Sequence, residues 1–267
     1  MAWKVIAPIA VVGVVAGGWY LMNQPAPQSE PVIVVETAPP VVVEVMSEPV
    51  ELVVEEEVEP IEAPSDVVVM VEQEIVMPPV QLDNSDTTVL KAVADLSPSL
   101  GQWLITQEQL RKWVLAVDNL ADGKLPGRYN PISYHMAHFV VDKDGAEYDI
   151  NDANYDRANR LINAITEIDP ETAALYYKAW LPLLEEAYDE LGKPGTFDAR
   201  LHEAVKQILV VQAVPKEAKL VQPHVFYDYE NKNLQDQSDV TKWVWRLGEA
   251  NREKMQTFLI EFNQSLQ

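Results

Sequence analysis

The sequence predicts a mainly α, multi-helix soluble domain with a small β-hairpin, preceded by one transmembrane helix and a disordered linker. Three observations carry that expectation. Residues 5–21 are apolar and uncharged, residues 23–81 hold 13 acidic residues and 10 prolines without a single Lys or Arg, and helix start and stop signals recur from Leu82 onward. They divide the 267 residues into an N-terminal anchor (1–22), an acidic Val/Glu/Pro-rich linker (23–81) and a helical domain (82–267). The net charge of -22 divides accordingly into +1, -13 and -10.

The run VIAPIAVVGVVAGGWYL, at about 1.5 Å of helical rise per residue, nearly crosses a hydrocarbon core of about 30 Å. Trp3 flanks it on one side and Trp19 and Tyr20 on the other, where amphipathic rings favour the headgroup level. Lys4 precedes the run and the next cation is Lys91, so the bias of positive charge keeps the N-terminus in the cytoplasm and exports the rest. A cleaved signal peptide is the competing reading, with Ala16 and Gly18 before a cut at Trp19. No clean A-x-A site follows the run, which favours a retained anchor, and both readings export the domain.

In the linker, β-branched residues favour extended backbone while recurrent Pro blocks both ladder pairing and helix. Repelling carboxylates make it a solvated spacer, expected to remain disordered. Valine-rich pieces such as 67–71 retain the capacity to add to a sheet edge.

The domain begins with a capping-box pattern at Thr106 and Gln109, after which Leu110, Trp113, Val114 and Val117 fall on one helical face that ends near Asp122 and Gly123. Asp169 and Pro170 open a second helix as N-cap and first-turn Pro, Pro182 is expected to kink it, and Gly192 with Pro194 stops it. Further helices are expected over 197–211 and 239–262. HFVVDKDGAEYDI reads as a hairpin turning at Asp144 and Gly145, and 219–229 as another extended segment.

Five segments, LDNSD (82–86), VDNLADGKLP (117–126), NYDR (154–157), AYDELG (187–192) and RLGEAN (246–251), together resemble a family of bacterial membrane-anchored envelope proteins labelled domain of unknown function 3014. The resemblance covers nearly all of 82–267 and implies a cell-envelope protein with an anchor and a Pro-rich spacer. It brings no established activity.

The acidic balance opposes binding to nucleic acid, which needs clustered Lys and Arg, and the absence of cysteine excludes thiolate catalysis and Cys-ligated zinc. Nucleophile-elbow, Walker and dinucleotide-binding motifs are missing, so no catalytic residue, cofactor or metal ligand is assigned. His135 and His138 are better read as surface or edge histidines than as metal ligands, and Asp142, Asp144 and Gly145 as a hairpin turn rather than a calcium loop. The tryptophans at 103, 113, 180, 243 and 245 invite glycan stacking, but their placement favours core and rim packing.

What remains is a candidate polar network of Asp118, Asn119, Arg157, Arg246 and Asn251. Arg157 or Arg246 is expected to pair with Asp118 near a helix C-terminus and so fix helix packing. The leading functional expectation is a membrane-tethered envelope module that binds an envelope protein or cell-wall partner. A carboxylate-based envelope hydrolase and a purely structural assembly factor are the rivals.

Overall fold

The computed structural model describes residues 74–216 and 218–267. The anchor, the linker up to residue 73 and the valine-rich stretch 67–71 lie outside the described residues. The chain in view forms helices α1 (Asp86–Leu96), α2 (Pro98–Gly101) and α3 (Gln109–Ala121), strands β1 (Val141–Asp144) and β2 (Glu147–Ile150), and helices α4 (Ala153–Asp156), α5 (Asn159–Thr166), α6 (Pro170–Asp189) and α7 (Phe197–Leu209). Strands β3 (Leu220–Val221) and β4 (Asp228–Tyr229) follow, then α8 (Lys232–Gln235), α9 (Asp239–Arg246) and α10 (Glu249–Ser265). It is a mainly helical domain with a small antiparallel sheet.

Helical spacing places the core. In α3, Leu110, Trp113, Val114, Val117, Leu120 and Ala121 recur every three or four residues and all are buried, packing on α6 and on the Leu201, Ala204, Val205 and Ile208 stripe of α7. Met255, Phe258, Leu259 and Phe262 of α10 complete the same core. Each such side chain contributes about 1.5 to 3 kcal/mol on leaving water. Trp113, Trp180, Trp243 and Trp245 are buried and Trp103 is half-buried, so the tryptophans serve packing.

Cap chemistry sets several boundaries. Asp169 accepts from Thr172 N at 2.7 Å with Pro170 in the first turn, Thr196 opens α7 and Ser238 opens α9. Helix α3 differs from expectation. The Asp86 carboxylate, from α1, accepts from the amides of Glu108 and Gln109 at 2.9 and 2.8 Å, so a side chain from another helix caps α3 in place of the expected Thr106. Glu108 is left-handed there, with φ 55°. Helix α6 runs through Pro182 to Asp189 and ends at Gly192, φ 65°.

The expected helix over 239–262 is two helices. Gly248 breaks it between α9 and α10 with φ 80° and ψ 165°, a conformation open essentially to glycine alone. The sheet also exceeds the single hairpin expected. Asp144 pairs with Glu147 across a two-residue loop led by Gly145, φ 65°, and the segment 219–229 forms a second hairpin. Tyr148 pairs with Leu220, joining both into one sheet of order β1-β2-β3-β4, with α4 to α7 inserted between the hairpins.

The folded unit also starts upstream of Leu82. Ile75 and Val76 pack against the core, Val76 N donates to Tyr176 Oη at 2.9 Å, and Trp180 Nε1 donates to the Val76 carbonyl at 3.1 Å. Two side chains of α6 thereby hold the backbone of a segment that composition alone assigned to the linker.

Candidate functional site

The structure separates the five network residues. Asp118, almost fully buried, receives Arg200 Nε at 2.8 Å and the Lys193 ammonium, while Arg200 Nη2 donates to the Asp118 carbonyl at 2.7 Å and also reaches Asp122. The partners of Asp118 are thus Lys193 and Arg200, from the end of α6 and from α7, in place of the expected Arg157 or Arg246. Asn119 turns back onto its own helix, donating to the Leu115 carbonyl at 2.8 Å.

Arg157 and Arg246 do come together, over the Phe139 ring. The guanidinium carbons of Arg157 and Arg246 lie 5.6 and 5.9 Å from the centre of the Phe139 ring. Arg157 Nε donates to the Ala137 carbonyl at 2.6 Å and Nη1 reaches Asn154, whereas its Nη2 is buried without a partner. Burial, with the charge of Arg246 added, pulls the Arg157 guanidinium down to about 10. Burial likewise lowers Arg246 and raises the Tyr229 phenol to about 12. Asn251 donates to the Tyr155 carbonyl at 2.9 Å, to Asn159 Oδ1 at 2.8 Å and to the Leu247 carbonyl at 3.0 Å.

Four of the five motifs are therefore joined in pairs in space. Arg111 bridges LDNSD to AYDELG, donating to Asp83 at 2.8 Å and to Glu190 at 2.6 and 2.9 Å. NYDR and RLGEAN share Phe139 through their arginines and meet again where Asn251 holds Tyr155. These contacts fix one packing of the helices, in keeping with a structural role for the motif residues.

The ion pairs make acid stability testable. Hydrogen bonds from Arg200 and Arg111 hold the Asp122 and Glu190 carboxyls below their ordinary values of 3.8 and 4.5. A depressed folded value means stability present above the unfolded value and lost as pH falls through the folded one. The melting temperature is expected to drop as pH is lowered beneath about 4.5, and Arg111→Met to flatten part of that drop. Identical acid profiles for the variant and the parent would contradict the pairing.

Concave surface lies beside the Asn251 contacts. A cleft of about 680 Å³, within the range of ligand pockets, is lined by the end of β2, α4, residues 213–216 and the α9–α10 junction. Its apolar wall comprises Ile150, Val214, Val244 and Trp245. Trp245 is fixed by donating Nε1 to the Gln212 carbonyl at 3.0 Å and by edge contact with Tyr229 at 5.5 Å. Gly248 lies directly under the Tyr155 ring, where a Cβ would sit 2.6 Å from it, so glycine is what lets Tyr155 close that end. Burial, together with nearby Asp152, raises the Tyr155 phenol. Asp149, Asp152, Lys216, Glu249 and Arg252 supply charge.

Sequence reasoning did not identify Lys193, Arg200, Phe139 or Tyr155, since none stands in a local pattern that marks a partner far along the chain, such as Asp118, 82 residues from Arg200. Gly248 did carry a signal, as a glycine interrupting helical periodicity. Among the described residues no group of three His, Asp or Glu is arranged to hold a metal ion, and no helix is long and apolar enough to cross a membrane.

The fold and its motif contacts define a mainly helical domain with a small antiparallel sheet. The chain belongs to the family described as protein of unknown function (DUF3014), whose model matches residues 109–263. No curated protein and no solved structure matches it.

Proposed function

We propose that the chain is a membrane-tethered cell-envelope module that binds a ligand or partner in the cleft between the sheet and the α9–α10 junction. The observation that carries the reading is the cleft itself: an apolar wall with charges at its margin, closed at one end by Tyr155 over a glycine whose backbone no other residue adopts easily. The sequence supports the tether. An uncharged run at 5–21 preceded by Lys4 suits a single-pass bacterial inner-membrane anchor, with the N-terminus cytoplasmic and the C-terminal domain periplasmic. The acidic spacer then lets the cleft search at a distance from the bilayer. The hydrolase reading needs two carboxylates free for proton transfer. Asp149 and Asp152 both line the cleft, but Asp149 is bridged to Lys219 at 2.8 Å, which favours binding over acid–base work.

Photo-crosslinking in intact cells tests this. A photoreactive residue at Ala213, in the cleft, should give a discrete envelope adduct that is lost when residues 1–22 are deleted. The same residue at Glu186, on the exposed side of α6, should not give it. Equal adducts from both positions, or none from Ala213, would remove the proposal. A C-terminal alkaline phosphatase fusion should be active, and an inactive one would reverse the topology.

A further inference from the structure

Two charges in the cleft make no ion pair among the described residues. Of its carboxylates, Asp149 is bridged to Lys219 and Glu249 faces Arg252 at 3.8 Å. Asp152 makes no ion pair among the described residues and leaves α4 without a side-chain cap. Of its cations, Arg252 donates to Gln256 at 3.0 Å and Glu253 at 3.3 Å and pairs with Glu249, its Nε left without a partner, whereas exposed Lys216 has no ion pair among the described residues. Among the described residues, one carboxylate and one ammonium without an ion pair therefore border the same apolar wall.

Resting on the reading of the cleft as the binding site, we propose that its ligand is a short zwitterionic peptide. Its ammonium group meets Asp152, its carboxylate meets Lys216, and small apolar side chains lie on Ile150, Val214, Val244 and Trp245. The amides of Ala213 and Val214, on the irregular segment that walls the cleft, take no intramolecular backbone acceptor among the described residues, which suits a ligand with main-chain carbonyls. The alternatives fit less well. A lone ion would leave most of about 680 Å³ and the apolar wall wet, an anion alone would meet three carboxylates, and a neutral sugar would leave Asp152 and Lys216 unanswered.

The test is calorimetric titration of the full chain in detergent micelles with the tetrapeptide alanine-valine-leucine-alanine, free at both ends, N-acetylated or C-amidated. The free peptide should bind with a Kd under about 1 mM, and each capped form about tenfold more weakly. Asp152→Asn should abolish the difference between the free and acetylated peptides, and Lys216→Gln the difference between the free and amidated ones. Both residues are exposed, so folding should be unaffected. Equal binding of free and capped peptides, or no saturation by about 5 mM, would overturn the zwitterion assignment. Ala213→Trp, which fills the cleft, separates the two readings. If it abolishes binding while the charge variants change nothing, the cleft stands and the zwitterion falls; if binding survives it, the cleft itself is wrong.

Discussion

Gly248→Ala should lower the stability of the purified chain by about 3 kcal/mol or more. Two penalties add. With φ 80° and ψ 165°, the backbone holds a conformation that costs an L residue about 1 to 3 kcal/mol, and the new Cβ would press on the Tyr155 ring at 2.6 Å. Overpacking of that kind adds about 1 to 3 kcal/mol. Denaturant unfolding measures the sum, and a double variant apportions it. Tyr155→Ala removes the ring but leaves Tyr155 Cβ, 2.8 Å from the built atom, so the pair should recover the steric part incompletely and the backbone part not at all. A Gly248→Ala chain as stable as the parent would mean that the α9–α10 junction is not built on this backbone.

The second large effect belongs to Asp118. Its side chain is 1 % exposed and accepts from both Lys193 and Arg200, so Asp118→Ala should cost about 2 to 4 kcal/mol. The figure stays under the full cost of an orphaned buried charge because Arg200 keeps Asp122 and Glu203 and Lys193 can reach water. Lys193→Met should cost less than about 1 kcal/mol, since its side chain is 44 % exposed. Asp118→Asn decides between packing and function. Lost stability together with lost photo-crosslinking from Ala213 fits a packing role, whereas unchanged melting with lost crosslinking would move Asp118 into a functional site.

Much of the domain was legible locally. Asp169 with Pro170, Gly192, the α3 stripe from Leu110 to Val117 and the turn at Gly145 each announce themselves within a few residues, because caps, helical periodicity and positive φ are local chemistry. What escaped is long-range. Asp86 caps α3 from 22 residues away, and Arg200 reaches Asp118 across 82, neither of which any window of sequence displays. Of the expected network residues, Asp118, Arg157, Arg246 and Asn251 are buried, and Asp118 pairs with Lys193 and Arg200 in place of Arg157 or Arg246. Burial of a polar residue follows from its place on an apolar helical face, whereas the identity of its counter-charge depends on how helices cross. The cleft could not be read at all, since its wall draws on β2, α9 and the 213–216 stretch, brought together only by the fold.

The docking of Val76 onto Tyr176 and Trp180 bears on how the domain would respond to mechanical load. If the N-terminus is held in a bilayer, tension along the chain reaches the domain first at Val76, through two side-chain hydrogen bonds rather than a shared strand. Peeling residues 74–81 from α6 would lengthen the leash by at most about 26 to 29 Å. Helix α1, still capping α3 through Asp86, would then take the strain. For a chain so tethered, the attachment would be a slack reserve that lengthens the link before the core feels the pull.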